Sequence, residues 1–261
     1  MTTWAKGDYP LMANLLEPVA QRVVDTARIG RGDTVLDLAT GTGNAALLAA
    51  RKGAEVTGID FEPVLLRIAE ERCQSSGLTV RWLEADLESL PINDGWASTI
   101  VSTFGIMYAT NHDAAAAELA RCLSSGGRTV LASWVPGGFL PAVGSAWSEF
   151  LHPQPASSGP PSRWGDVVAL SKIVSAHGLE VTSESFEHLL MDFASVDDAT
   201  EFVVSTAGHV MLEEPRLVKE GKWQGLLSSV RNLIKSSALQ TGNGVTLQLD
   251  YLLATLGSTP S

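Results

Sequence analysis

Residues 35–47 read VLDLATGTGNAAL, and this stretch decides the fold class. The mainly apolar run Val35–Leu38 predicts a buried β-strand, Gly41 and Gly43 predict a tight loop, and the small residues after them can open a helix. A strand, a glycine loop and a helix in this order form a binding site for a nucleotide-like ligand. Residues 41–46 also fit the G-x-G-x-x-A pattern of dinucleotide sites, so the glycines alone leave the ligand open between a nicotinamide dinucleotide and S-adenosylmethionine.

The alternation of strands and helices continues to about residue 134. Apolar strand patterns alternate with helical spacing, and that rhythm predicts right-handed βαβ crossovers and a parallel sheet covered on both faces. The predicted strands are 32–39, 54–60, 78–86, 96–105 and 128–134. The predicted helices are 11–29, 43–53, 62–77 and 112–127.

From Pro136 the pattern is less regular, with a Pro- and Ser-rich loop at 152–162. We expect one domain over 1–261, without internal repeats. Its expected parts are an N-terminal lid at 1–30, a cofactor-binding core at 30–135, substrate-side insertions at 136–245 and a last strand at 244–255. The further predicted elements are helices at 137–151, 164–178, around 197–208 and at 223–239, and a strand at 179–193.

The overall composition is that of a globular enzyme. The 261 residues include 29 acidic and 18 basic side chains, for a net charge of −11. Such a field repels nucleic acids and anionic lipids, so neither is an expected partner. Cys73 and Cys122 each lie in a predicted helix, which predicts neither a disulfide framework nor a zinc site. The sequence contains no secretory signal and no apolar run long enough to cross a membrane, so we expect a cytoplasmic protein.

Three acidic residues distinguish the candidate ligands. Asp37 comes four residues before Gly41, at a strand end that dinucleotide sites normally keep apolar, and its carboxylate suits the ammonium group of S-adenosylmethionine. Asp60 ends the second strand, where a carboxylate accepts ribose hydroxyls in either class of site. Asp86 ends the third predicted strand, where its carboxylate can accept from an adenine amino group while the Leu87 N–H serves a ring nitrogen. Together these acids favour S-adenosylmethionine.

With these residues in place, the sequence resembles the class I S-adenosylmethionine-dependent methyltransferases, in the type 11 or UbiE-like branch. The matching segments cover about 30–135: VLDLATGTGN, VTGID, EADLESLP, STFGIMYATN and AAAAELARCLSSGGRTVLASW. The resemblance implies an α/β, Rossmann-like sheet of seven mostly parallel strands, with an N-terminal helical lid and a helical cap inserted between the last two strands. One departure is Ala39, where many relatives have the first loop glycine. We expect a negative φ there, which alanine tolerates.

The resemblance also assigns roles to residues of this chain. Asp37, Thr40, Gly41 and Gly43 would hold the methionine end, Asp60 the ribose, and Asp86 with Leu87 the adenine. Further cofactor contacts are implied for Phe61 against the adenine, Ser102 and Thr103 along the amino-acid part, and Tyr9 closing over the sulfonium. The implied cofactor is S-adenosyl-L-methionine, with S-adenosyl-L-homocysteine as its product and no metal.

The expected reaction is methyl transfer to an O, N or C atom of a small apolar or aromatic metabolite, natural-product-like or quinone-like. The aromatic residues Trp134, Phe139 and Trp164 are the candidate acceptor wall, and His112 is a candidate general base. Two alternatives stay open: an enzyme of this fold that binds the same cofactor but catalyses another reaction such as a cyclisation, and an NAD-linked oxidoreductase. We expect a monomer or a homodimer.

Overall fold

A computed structural model of the chain describes residues 6–152, 158–241 and 244–259. In these ranges the strands are β1 (Thr34–Leu38), β2 (Glu55–Asp60), β3 (Arg81–Glu84), β4 (Ala97–Thr103), β5 (Leu123–Trp134), β6 (Leu179–Phe193), β7 (Leu239–Thr241) and β8 (Gly244–Ser258). The α-helices in the same ranges are α1 (Tyr9–Thr26), α2 (Asn44–Arg51), α3 (Pro63–Ser75), α4 (His112–Cys122), α5 (Phe139–Trp147), α6 (Val167–Ser175), α7 (Val196–Ser205), α8 (Gly208–Lys219) and α9 (Trp223–Ser237).

One sheet organises the fold, with strand order β3-β2-β1-β4-β5-β8-β6, and short β7 pairs with β8. Strands β1 to β5 are parallel neighbours, and β8 runs antiparallel to β5. The Thr182 hydroxyl donates to the Thr255 carbonyl and the Thr259 N–H donates to the Gly178 carbonyl, so β6 and β8 are antiparallel as well. The helices α7, α8 and α9 lie between β6 and β8 in the chain. The expected Rossmann-like α/β class is confirmed.

The chain divides into two compact units, which β6 and β8 both enter. The sheet unit consists of Leu16–Val135, Ala156–Glu187 and Tyr251–Ser261. The helical unit consists of Met1–Leu15, Pro136–Pro155 and His188–Asp250. Each unit has its own apolar core.

In the sheet unit the central strands carry the core, because helices cover both faces of a parallel sheet. Leu36, Ile100 and Leu131 are each at most 1% exposed. In the helical unit the core lies on one face of α9, where Leu226, Val230 and Ile234 repeat at four-residue spacing and are fully buried.

Local sequence explains most element boundaries. Pro63 begins α3, and the side chain of Asn111 accepts from the N–H groups of Asp113 and Ala114 at the start of α4. Gly53 has φ +85° just after α2. Strand β6 has the predicted bounds.

Three sequence predictions about the elements need correction. The predicted strand 78–86 shrinks to Arg81–Glu84, and β5 begins five residues before the predicted residue 128, with an irregular pairing to β4 between Ala97 and Thr99. Helix α8 was not predicted as a separate helix, because Pro215 lies inside it and breaks the expected helical pattern.

No helix in the described part of the chain is long and apolar enough to cross a membrane.

Candidate functional site

The carboxyl ends of β1 and β2 bring two buried carboxylates to the glycine loop. Asp37 is 2% exposed, and its Oδ2 accepts from the Thr40 hydroxyl at 2.6 Å and from the Ala46 N–H at 2.9 Å. Asp60 is 5% exposed, and its Oδ2 accepts from the Gly41 N–H at 2.8 Å. One hydrogen-bond network therefore joins both strand ends to the loop.

Burial disfavours the ionised form of both carboxylates. It raises the pKa of Asp37 to about 7, against the opposing hydrogen bonds from Thr40 and Ala46, and the nearby charge of Asp60 raises it further. Burial likewise raises the pKa of Asp60, although the N–H groups of Glu62 and Gly41 oppose this shift. Buried acids with perturbed pKa values are concentrated at functional sites.

The loop glycines have a steric role that the sequence did not reveal. A Cβ on Gly43 would lie 2.9 Å from the Trp82 ring, and one on Gly58, the register partner of Trp82 in β3, would lie 2.5 Å from it. Gly41 and Gly43 also have φ of +56° and +84°. Gly41 and Gly43 therefore accommodate the turn, while Gly43 and Gly58 leave room for the Trp82 indole.

Two loop amides are hydrogen-bonded within the protein. The Gly41 N–H donates to Asp60, and the Gly43 N–H donates to the Thr40 carbonyl at 2.9 Å. The expectation of a negative φ at Ala39 is wrong, because its φ is +53°. That conformation is strained for alanine, and strain of this kind is concentrated at functional sites.

A second strained backbone lies at the end of β4. Phe104 has φ +62°, and its ring stacks on that of Trp134 with centroids 3.5 Å apart. Tyr251 meets the Phe104 ring edge-on at 5.7 Å. A Cβ on Gly105 would lie 2.2 Å from the Cβ of Ala39, so the ends of β1 and β4 are in close contact. No sequence feature singled out Phe104.

The predicted adenine and ribose residues lie at the same sheet edge. The Ala85 N–H donates to the Asp60 carbonyl at 3.1 Å, which joins the end of β3 to that of β2. Asp86 is exposed and its Oδ1 accepts from the Glu88 N–H, while Leu87 is 8% exposed. Phe61 is 46% exposed, so its ring is not part of the core.

The remaining predicted cofactor residues have mixed surroundings. Ser102 is fully buried, and its hydroxyl donates to the Leu38 carbonyl at 2.7 Å and accepts from the Ile106 N–H at 3.0 Å. The hydroxyl of Thr103 is buried without a hydrogen-bond partner in the described ranges. Tyr9 is the first residue of α1, partly buried, and belongs to the helical unit.

The candidate acceptor residues are more deeply buried than a ligand-lining role requires. Trp134, Phe139 and Trp164 are 4%, 8% and 1% exposed. His112 is 2% exposed, and its ring lies 5.9 Å from that of Trp164, edge-on. Burial together with the charge of Arg163 lowers the pKa of this side chain, against an opposing contact with the Met107 backbone.

The residues present fit S-adenosylmethionine in their chemistry. A buried carboxylate whose pKa is raised gains most from a cationic partner, which an amino-acid ammonium group supplies. An ionised carboxylate offers about four acceptor sites, so the two backbone bonds that Asp60 accepts leave capacity for ribose hydroxyls. In the described ranges no group of three or more His, Cys, Asp or Glu side chains is arranged to hold a metal ion.

Comparison with known proteins agrees with this chemistry. Residues 35–127 match the family model described as "Methyltransferase domain". An uncharacterised protein of Mycobacterium tuberculosis is 35% identical over 200 residues, which are 76% of this chain and 73% of the relative. The chain belongs to the class I S-adenosylmethionine-dependent methyltransferases.

Other proteins are similar to this chain over shorter stretches or in fold alone. A demethylmenaquinone methyltransferase of Thermus thermophilus is 42% identical over 118 residues, 44% of this chain and 54% of that protein. The YcgJ protein of Bacillus subtilis has the same fold, with a TM-score of 0.62 and 17% identity over 93% of this chain and 98% of its own. The [4+2]-cyclase SpnF also has this fold, with a TM-score of 0.58 and 19% identity, over 94% of this chain and 82% of SpnF.

Proposed function

We propose that this methyltransferase transfers the methyl group of S-adenosylmethionine to an O, N or C atom of a small apolar or aromatic metabolite. The observation that carries the proposal is the buried pair Asp37 and Asp60, bonded to one glycine loop at the carboxyl edge of the sheet. A quinone-like or natural-product-like acceptor is favoured by the similarity to the Thermus thermophilus enzyme named for demethylmenaquinone.

Each candidate cofactor residue has a defined task in this proposal. Asp37 pairs with the ammonium group, next to Thr40 and the glycine loop, and Asp60 accepts the ribose hydroxyls. Asp86 and the Leu87 N–H recognise the adenine, against which the exposed ring of Phe61 packs. Tyr9, Ser102 and Thr103 complete the methionine end.

When bound, the cofactor supplies a methyl group already activated by the sulfonium charge. The protein then has to align the acceptor and exclude water, and a dedicated base is optional. A neutral His112 can accept a proton from the acceptor, provided that a local movement opens its buried ring to the ligand. Trp134, Phe139 and Trp164 need a similar movement to form the acceptor wall.

The proposal includes the setting of the reaction. We infer a cytoplasmic enzyme that acts as a monomer or a homodimer and as one methyltransferase domain, with 136–245 on the acceptor side. Both cysteines are free thiols, which suits a reducing compartment.

Ligand binding tests the cofactor. S-adenosylhomocysteine should raise the thermal unfolding midpoint of the protein, and NADH should not. The Asp60→Asn variant should lose most of that shift, whereas Asp33→Asn, a carboxylate at the opposite end of β1, should retain it. A shift from NADH and none from S-adenosylhomocysteine would support the oxidoreductase alternative and refute the proposal.

Labelled methyl transfer tests the reaction. The protein is incubated with a metabolite extract and S-adenosylmethionine carrying an isotopically labelled methyl group, and products are identified by mass spectrometry. One labelled, apolar product is expected. Conversion of a metabolite that proceeds equally well with S-adenosylhomocysteine would instead indicate a cyclisation or another reaction without methyl transfer.

A further inference from the structure

Arg72 on α3 contacts the glycine loop directly. Its Nη1 donates to the carbonyl of Thr42 at 2.6 Å, to the Thr42 hydroxyl at 3.0 Å and to Oδ1 of Asn44 at 2.8 Å. Thr42 is 3% exposed, so its carbonyl has little access to water as an alternative donor. A charged donor bound to buried acceptors makes one of the stronger hydrogen-bond contacts available to a protein.

The other side-chain bonds to the loop involve the proposed ligand-binding groups. Asp37 and Asp60 accept from Thr40, Gly41 and Ala46 through the same carboxylates that the proposed function assigns to the cofactor. The carboxylates of Asp37 and Asp60 would therefore have to bind the cofactor and hold the loop at the same time. Arg72 uses acceptors on Thr42 and Asn44, to which no cofactor contact is assigned, so its bonds are compatible with a bound ligand.

We propose that Arg72 is a positioning residue that holds the glycine loop in its cofactor-binding conformation, an inference that rests on the proposed function. A loop that samples other conformations binds its ligand more weakly in proportion to the population lost. A single guanidinium nitrogen, Nη1, reaches acceptors on both Thr42 and Asn44, and the guanidinium stays charged at any working pH.

The chain provides a matched control on the same helix. Among the described residues, Arg67 forms an exposed ion pair with Glu71 at 2.8 Å, and the Arg67 side chain is 65% exposed. Such pairs contribute little to stability. A groove of about 300 Å³ between α2 and α3 borders Arg72, and methionine keeps the unbranched shape of the arginine stem without its donors.

Calorimetric titration with S-adenosylhomocysteine tests the proposal on the wild type and on Arg72→Met, Arg72→Lys and Arg67→Met. We expect the Kd to rise about tenfold in Arg72→Met, less in Arg72→Lys, and to stay unchanged in Arg67→Met. Hydrogen exchange of the ligand-free proteins should show faster exchange at residues 41–46 in Arg72→Met alone. If Arg72→Met does not fold, the comparison of Arg72→Lys with Arg67→Met serves the same purpose.

The two proposals fail in different ways. A wild type that does not bind S-adenosylhomocysteine overturns the proposed function and this inference with it. A wild type that binds, together with Arg72 variants of equal affinity and equal loop exchange, overturns this inference alone. A lower unfolding midpoint in Arg72→Met without a change in Kd shows a purely structural role and likewise overturns it.

Discussion

The substitution Asp37→Asn should make the ligand-free protein more stable while abolishing its ligand binding. Burial raises the pKa of Asp37 from its ordinary value of 3.8 to about 7. Keeping this carboxylate ionised in the fold at pH 8 therefore costs about 4 kcal/mol, at 1.36 kcal/mol per pKa unit. Asparagine has the same shape and its carbonyl can still accept from Thr40 and Ala46, so it avoids most of this cost.

The pH dependence has a definite sign. Because the folded pKa lies above the unfolded value, the folded state holds the proton more tightly, and wild-type stability falls as pH rises from about 4 to about 7. At pH 8 we expect the unfolding midpoint of ligand-free Asp37→Asn to exceed that of the wild type by about 5 °C or more. At pH 5 the wild-type carboxyl is protonated in the folded state. The difference between the two unfolding midpoints should therefore be smaller by about half or more at that pH.

Asp33→Asn is the matched control, because Asp33 directly precedes β1 and Asp37 lies near the other end of the same strand. Burial favours a higher pKa there too, but the Gly30 N–H, the Ser98 hydroxyl and the Arg128 charge outweigh it and lower the pKa of Asp33. Its ionised form stabilises the fold above its ordinary pKa, and that contribution is lost as pH falls. Asp33→Asn should therefore be less stable at pH 8. If Asp37→Asn is also destabilised at pH 8, burial does not dominate at Asp37 and the reasoning is refuted.

Three further predictions concern the loop and its support. Asp60→Asn should weaken S-adenosylhomocysteine binding about tenfold or more, as measured by calorimetry. An unchanged Kd would show that this carboxylate does not bind the ligand. Ala39→Gly should raise the free energy of unfolding by about 1 kcal/mol in urea titrations, because glycine accepts the positive φ without strain; a loss of stability would contradict that account. Gly58→Ala should destabilise by about 1–3 kcal/mol through overlap with Trp82. Combining it with Trp82→Leu should recover part of the loss, and strictly additive effects would rule out the overlap.

Much of the candidate cofactor site could be predicted because its residues occupy fixed places in a regular motif. Asp37 and Asp60 end neighbouring parallel strands, and such ends meet at one sheet edge whatever the surrounding contacts. The sequence did not decide the exposure of Phe61, since a phenylalanine after a strand is often part of the core. The acceptor side was hardest to predict, because burial of Trp164 depends on segments far away in the chain.

The sequence alone determined the order of strands and helices up to about residue 134, the parallel sheet and the acids around the glycine loop, since strand and helix periodicity and turn residues act over a few neighbouring positions. Tertiary structure decided the positive φ of Ala39, the close packing of Trp82 on Gly58 and the contact of Arg72 with Thr42, a residue 30 positions away. These features depend on contacts between segments that are far apart in the sequence. Such contacts form only when the sheet and its helices have assembled.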